Sequence, residues 1–116
     1  MKYNSDFSHD LEVGQGAENL LGQLLESKKL EVKMDRRARQ NGLFFIEYES
    51  RGKPSGISTT KAAYWALVIE GASAVIVRTE KLKDLARATL RANGFIKGGD
   101  SNTSKGVLIK LGDLLK

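Results

Sequence analysis

The chain has 116 residues, of which 41% are hydrophobic and 28% charged, and its net charge at neutral pH is +5. This length allows one domain with a single core, and the composition excludes a wholly disordered chain. The absence of cysteine excludes disulfides and thiolate zinc sites, and no apolar run approaches the ~20 residues of a transmembrane helix. The sequence therefore predicts one cytoplasmic domain over residues 1–116, with a loosely held lead-in at 1–11 and no membrane partner.

The first predicted element is an amphipathic helix at residues 12–26. Its apolar residues follow helical spacing, and Glu18 falls at the edge of the apolar arc. Alternating apolar and charged residues then predict strands at 30–35 and 43–50. Because Asn41-Gly42 is a strong turn signal, we expect these two strands to pair as a hairpin.

The second half of the chain predicts four further elements after a glycine- and proline-marked loop. Ser58-Thr59-Thr60 is expected to cap a short helix that carries Ala62, Tyr64, Trp65 and Leu67. A buried strand is predicted at 74–77, and a helix is predicted from a cap at Thr79 to Asn93-Gly94. A polar loop at 98–105 leads to a last strand at 107–111. The order α-β-β-α-β-α-β predicts an α/β domain with a mixed sheet flanked by helices.

The first residues that could take part in catalysis lie in the segment Glu31-Val32-Lys33. Residues two apart on a strand share a face, so the Glu31 carboxylate and the Lys33 amine project together. A carboxylate can hold a hard divalent cation, and a lysine beside it can orient water and stabilise charge on a phosphate. A solvated strand face with two unrelated charges is the alternative for this short triplet.

Three more carboxylates strengthen the metal-site interpretation. Asp35 shares the face of Glu31, Glu47 lies on the next predicted strand, and Glu18 lies on the preceding helix. Carboxylates this close would repel one another unless a cation relieved the repulsion. The alternative is that Lys33, Arg36 and Arg37 simply pair with them at the surface.

The stretch from residue 10 to residue 68 resembles the PD-(D/E)XK, or restriction-endonuclease-like, nucleases of phages and bacteria, a group related to Holliday-junction resolvases. The resemblance is carried by a helix glutamate, the strand motif E-V-K-x-D, the strand motif F-I-E and the segment S-G-I-x-T-T, in that order. It implies a restriction-endonuclease-like domain that hydrolyses phosphodiester bonds in DNA with Mg²⁺ or Mn²⁺.

The resemblance also implies roles for individual residues. The catalytic set is Glu18, Glu31, Lys33 and Glu47, and the metal ligands are drawn from Glu18, Glu31, Asp35 and Glu47. The expected DNA contacts come from a basic rim and from hydroxyls, namely Arg36, Arg37, Arg39, Arg51, Lys53, Ser55, Thr59 and Thr60.

Two features depart from the family pattern. The family usually has an aspartate on a strand before the E-x-K strand, but here only Ser27-Lys28-Lys29 separate the helix from Leu30. Asp35 or Glu47 could replace that ligand, or Glu31 could take the aspartate's role with Glu47 as the second acid. Ala62-Ala63 also stands where related chains often carry an acid.

Two functions follow as expectations. The first is a metal-dependent DNA endonuclease, either nicking or structure-selective, for which the small size favours a twofold dimer. The second is a nucleic-acid-binding module that keeps the nuclease fold without catalysis.

Overall fold

The structure is a computed structural model that describes residues 29–116. The lead-in and the predicted helix at 12–26, with Glu18, lie outside the described residues.

Seven strands and three helices make up the described part of the chain. The strands are β1 (Leu30–Met34), β2 (Leu43–Ser50), β3 (Lys53–Pro54), β4 (Tyr64–Ile69), β5 (Ser73–Arg78), β6 (Ile96–Gly98) and β7 (Ser104–Lys110). The helices are α1 (Ala38–Asn41), α2 (Thr79–Asn93) and α3 (Leu111–Leu114), with 3-10 turns at Gly56–Ser58 and Asp100–Asn102.

The strands form two sheets. One has the order β1-β4-β5, in which β1 runs parallel to β4 and β4 antiparallel to β5. The other is antiparallel with the order β3-β2-β7-β6. The described residues thus form an α/β domain with mixed strand directions and flanking helices, and the predicted class is confirmed.

The predicted hairpin between the first two strands is wrong. β1 pairs with β4, whereas β2 pairs with β7 along its length, from Leu43 opposite Lys110 to Ser50 opposite Ser104. Asn41-Gly42 does form a turn, but Gly42, with φ +68°, ends helix α1 rather than closing a hairpin. The prediction of a turn at Asn41-Gly42 was correct, but the prediction that this turn joins two paired strands was wrong.

The predicted short helix around Trp65 is also wrong, because Tyr64–Ile69 is the central strand β4. Trp65, Leu67 and Ile69 face the core, and Ala66 on the opposite face is also buried. A central strand with both faces apolar has no clean alternation, so periodicity does not separate it from a helix. Ser58 belongs instead to the 3-10 turn that precedes the strand.

The other predicted strands and the long helix lie close to their predicted bounds. β2 occupies residues 43–50, β5 extends the predicted strand by one residue at each end, and β7 starts three residues early. Helix α2 ends at Asn93, and the Gly94 amide donates to the carbonyl of Leu90. Thr79 is the first residue of α2 rather than its cap, and its hydroxyl donates to the Ala62 carbonyl at 2.7 Å.

One core joins the two sheets and α2. Its fully buried large side chains are Trp65, Phe44, Ile46, Leu67, Leu82, Ile109 and Val107. Burial of each such side chain contributes about 1.5–3 kcal/mol relative to exposure, so this cluster dominates the stability of the domain. None of the helices in residues 29–116 has the length and apolar character needed to cross a membrane.

Candidate active site

A cleft of about 590 Å³ brings together residues that are far apart in the sequence. We call it the Glu31 cleft. It is lined by Lys29, Leu30, Glu31, Lys33, Glu47, Gly56, Thr59, Thr60, Lys61 and Ala62. Three of the four predicted catalytic residues, Glu31, Lys33 and Glu47, and two predicted phosphate contacts, Thr59 and Thr60, therefore line one cleft.

Glu31 and Lys33 project from β1 on the side of the core. Each neighbours a residue of the parallel strand β4, so that Glu31 lies beside Trp65 and Lys33 beside Leu67. The Lys33 Nζ lies 3.7 Å from Glu31 Oε1 and 6.0 Å from the centre of the Trp65 ring. Because about half of each of the two charged side chains is exposed, their ion pair is worth only about 0–1 kcal/mol and yields readily to a ligand.

Glu47 reaches the same cleft from β2, and the Ser55–Ser58 segment holds it there. The Ser55 hydroxyl donates to Glu47 Oε2 at 2.8 Å, and the Ser55 amide donates to the Tyr48 carbonyl at 3.1 Å. The Ser58 hydroxyl donates to that same carbonyl at 2.8 Å. The segment therefore fixes the position of a cleft carboxylate.

Gly56 permits the closest approach in this arrangement. Its φ is +55°, and a β-carbon at this position would lie 2.3 Å from the Glu47 carbonyl oxygen. No side chain fits this space without a shift of the backbone beside Glu47. The glycine of the S-G-I segment is thus required by the packing of the loop on β2.

Asp35 has a different environment from Glu31. One of its carboxylate oxygens accepts the Arg37 amide at 3.0 Å, and the other accepts the Phe45 amide at 3.1 Å. The side chain is only 17% exposed. Asp35 lines a neighbouring pocket of about 350 Å³, which we call the Asp35 pocket and which is also lined by Lys33 and Glu47. Asp35 therefore links the end of β1 to β2, and both of its oxygens already have partners.

We expect Asp35→Asn to lower the free energy of unfolding by about 1–3 kcal/mol. The amide offers one acceptor oxygen, so one of the two backbone N–H groups loses its partner. Urea denaturation measures the change, and calorimetric titration with Mn²⁺ shows whether metal binding survives. Loss of metal binding with unchanged stability would instead make Asp35 a ligand.

The cations of the predicted basic rim lie at different positions in the structure and have different partners. Arg36 lies 3.7 Å from Glu70, and Arg37 lies 3.8 Å from Asp35; both arginines line the Asp35 pocket. Arg39 donates to the Glu70 carbonyl at 3.3 Å. Two other cations of the rim are exposed and line neither the Glu31 cleft nor the Asp35 pocket; they are Arg51 in the β2–β3 turn and Lys53 in β3.

Sequence reasoning missed three cations beside the cleft, namely Lys29, Lys61 and Arg78. Lys29 and Lys61 line it directly. A second cleft of about 330 Å³ shares Thr60, Lys61 and Ala62 with the first and adds two further cations, Arg78 and Lys83. The position of Lys61 directly after the paired threonines was the available signal. Arg78 is placed there by the antiparallel pairing of β5 with β4, which the sequence pattern does not show.

The carboxylates of the cleft suit Mg²⁺ in number and type. Mg²⁺ is usually held by one or two carboxylates together with waters and substrate phosphates. Glu31 and Glu47 supply two hard oxygen donors in one partly open cleft. Within residues 29–116, no three acidic, histidine or cysteine side chains are grouped so that they could hold a metal ion. Glu18, the fourth predicted ligand, lies outside the described residues.

No family model, curated protein or solved structure matches this chain.

Proposed function

We propose that this protein is a metal-dependent DNA endonuclease of the restriction-endonuclease-like kind that hydrolyses phosphodiester bonds. The observation that carries the proposal is the convergence of Glu31, Lys33 and Glu47 in one cleft, although they lie on two strands that do not pair with each other. Two acids and one amine beside hydroxyls form a set suited to binding and cleaving a phosphate ester.

Each cleft residue has a definite task in this proposal. Glu31 and Glu47 would hold Mg²⁺ or Mn²⁺, which when bound supplies Lewis-acid stabilisation of the charge on the phosphate. Lys33 orients the attacking water and stabilises negative charge as it builds on the phosphate oxygens. Ser55 is a positioning residue, because its hydroxyl holds Glu47 by a hydrogen bond. Thr59 and Thr60 offer hydroxyls to the DNA backbone.

A cationic track next to the cleft supports a polyanionic substrate. Lys61, Arg78 and Lys83 line the second cleft, and within residues 29–116 none of the three forms an ion pair. The Arg78 guanidinium lies 5.7 Å from the centre of the Tyr64 ring, which orients it without neutralising it. Cations without acidic partners are free to replace the counterions of a nucleic-acid backbone.

We expect Lys61→Ala and Arg78→Ala each to weaken DNA binding several-fold and to reduce the salt dependence of the binding constant by about one unit of slope. Fluorescence anisotropy with labelled DNA over a salt series measures both effects. Lys97→Ala, which removes an exposed cation on β6, is the matched control. Equal losses in all three variants would show that only the overall charge matters.

The decisive test of the proposed function is plasmid cleavage by the full chain. We expect supercoiled DNA to be nicked or linearised in Mg²⁺ or Mn²⁺, and EDTA to stop the reaction, because both carboxylates need a cation to act on a phosphate. Absence of cleavage on supercoiled, linear and branched DNA in both metals would contradict the proposal. Light scattering tests the proposed homodimer, and cleavage of a branched DNA substrate tests the structure-selective variant. We also propose that the protein acts in the cytoplasm.

The second candidate is a nucleic-acid-binding module without catalysis. It is favoured by the existing partners of the two cleft carboxylates, since Glu31 pairs with Lys33 and Glu47 accepts from Ser55. Calorimetry separates the two candidates. Salt-sensitive DNA binding with no heat of Mg²⁺ or Mn²⁺ binding supports the module, and metal binding abolished by Glu47→Gln supports the nuclease.

A further inference from the structure

A further cavity, of about 320 Å³, is bounded by helix α2, strand β2 and the 3-10 turn Gly56–Ser58. We call it the Tyr48 pocket. Its lining residues are Tyr48, Ile57, Ser58, Lys83, Ala86, Arg87 and Leu90. Ile57 belongs to the buried core, and three other lining side chains pack against that core, namely Tyr48, Ala86 and Leu90. The fold therefore holds the apolar wall of the pocket in place.

A β-bulge in β2 lies at the boundary between this pocket and the Glu31 cleft. Glu47 is opposite Gly106 of β7, and Glu49 is opposite the adjacent residue Lys105, so Tyr48 is the extra residue of the β2–β7 ladder. Bulges re-aim side chains and are frequent beside active sites. Glu47 lines the Glu31 cleft, and Tyr48, the next residue, lines the Tyr48 pocket.

The Tyr48 pocket is connected to the Glu31 cleft in two ways. First, the two cavities share the 3-10 turn, since Gly56 lines the cleft, whereas Ile57 and Ser58 line the pocket. Second, the second cleft shares residues 60–62 with the Glu31 cleft and Lys83 with the Tyr48 pocket. The three cavities therefore adjoin one another along the surface.

Positive charge dominates the part of this surface beyond the Glu31 cleft. The described lining of the Tyr48 pocket contains two cations, Lys83 and Arg87, and no acid. Arg87 pairs with Asp84, but Lys83 is half-buried and forms no ion pair within residues 29–116. A cleft lined by charges of one sign attracts ligands of the opposite sign. A neutral apolar ligand would leave the Lys83 charge uncompensated, whereas a nucleotide would satisfy both the charge and the apolar wall.

Given the DNA substrate proposed above, on which this inference rests, we propose that the Tyr48 pocket binds an unpaired nucleobase. The phosphates of the same strand would lie along the second cleft and the Glu31 cleft. Cations that follow the backbone, together with an aromatic and apolar surface for a base, are the usual means of binding a single strand. A base that is paired and stacked in a duplex cannot enter such a pocket. The substrate class is therefore DNA that contains a single-stranded segment.

Tailed DNA duplexes test the pocket with the unaltered protein. Labelled duplexes are either blunt or carry a tail of thymidines or of abasic sites at the 3′ or the 5′ end, and fluorescence anisotropy in EDTA measures their binding. We expect a thymidine tail at one of the two ends to raise the affinity about fivefold or more over blunt DNA. The matching abasic tail has the same phosphates but no bases, so it should give a much smaller gain.

A pocket-filling variant tests the location of the base. Ala86→Trp places a large side chain in the Tyr48 pocket, and we expect it to remove the gain from the thymidine tail while binding to blunt DNA stays unchanged. The matched control is Ala88→Trp, at an exposed alanine of α2 that lines none of the four cavities. This control should keep the gain, and circular dichroism checks that both variants are folded.

Two results would overturn the base pocket. Equal gains from thymidine and abasic tails would show that only phosphates are bound, and this comparison needs no variant. A folded Ala86→Trp protein that keeps the full gain would place the base elsewhere. Because the binding measurements need neither metal nor cleavage, they are independent of the nuclease test. Plasmid cleavage without a preference for tailed DNA would leave the proposed nuclease standing and reject the pocket alone.

Discussion

Glu31→Gln is expected to lower the rate of metal-dependent DNA cleavage on the order of a hundredfold or more. The amide keeps the size of the side chain but removes the negative charge that would hold the cation. Binding to DNA should be unchanged or slightly tighter, because one charge that repels the phosphate is lost. Plasmid nicking in Mg²⁺ and anisotropy in the absence of metal measure the two effects separately.

The control for Glu31→Gln is Asp84→Asn. Asp84 is an exposed carboxylate on α2 that pairs with Arg87 at 2.7 Å and lines neither the Glu31 cleft nor the neighbouring clefts. Its replacement changes the net charge by the same amount and should leave cleavage intact. Full activity of the Glu31→Gln protein would remove Glu31 from the site. Similar losses in both variants would trace the effect to overall charge.

Gly56→Ala is expected to lower the free energy of unfolding by about 3 kcal/mol and to reduce cleavage with it. A left-handed backbone costs an alanine about 1–2 kcal/mol, and the added β-carbon would also press on the Glu47 carbonyl oxygen. Relief of that overlap must move the loop or the strand that carries Glu47. Urea denaturation and the nicking assay report the two consequences.

Gly52→Ala isolates the cost of the backbone conformation alone. Gly52 has φ +78°, and a β-carbon there would meet nothing within 4 Å. We expect its replacement to cost about 1–2 kcal/mol and to leave cleavage unchanged in conditions where the protein is folded. Equal destabilisation in the two variants would show that the contact between Gly56 and Glu47 is not a tight one.

Local sequence patterns predicted the elements whose signal lies within a few residues. The apolar stripe of α2 and its terminal glycine gave both the type and the end of that helix, because helical period and cap are local properties. The alternation in β2 likewise gave its buried face, with Phe44 and Ile46 nearly inaccessible to solvent. β4 was mistaken for a helix because a strand buried on both faces carries no period of two.

In the candidate site, too, the sequence predicted some features and only the tertiary contacts set the others. Glu31, Lys33 and Glu47 were selected by residue type and by the resemblance, and they line one cleft. The strand pairing that brings them together differs from the predicted hairpin, since β1 and β2 do not pair. Asp35 was assigned to the metal because it shares the alternation of Glu31. Its hydrogen bonds to the Arg37 and Phe45 amides depend on the approach of β2, which the alternation does not encode.

The sequence by itself determined that the chain is an α/β domain, where most strands and the long helix lie, and which acids and amines are candidates for chemistry. Only the tertiary structure decided that β1 lies beside β4, that Ser55 and Gly56 fasten the loop to Glu47, and that Lys61 and Arg78 extend the basic surface. The physical reason is the sequence separation between the residues that determine each feature. Period, cap and turn are set by neighbours along the chain, whereas strand partners and clefts depend on contacts between residues tens of positions apart.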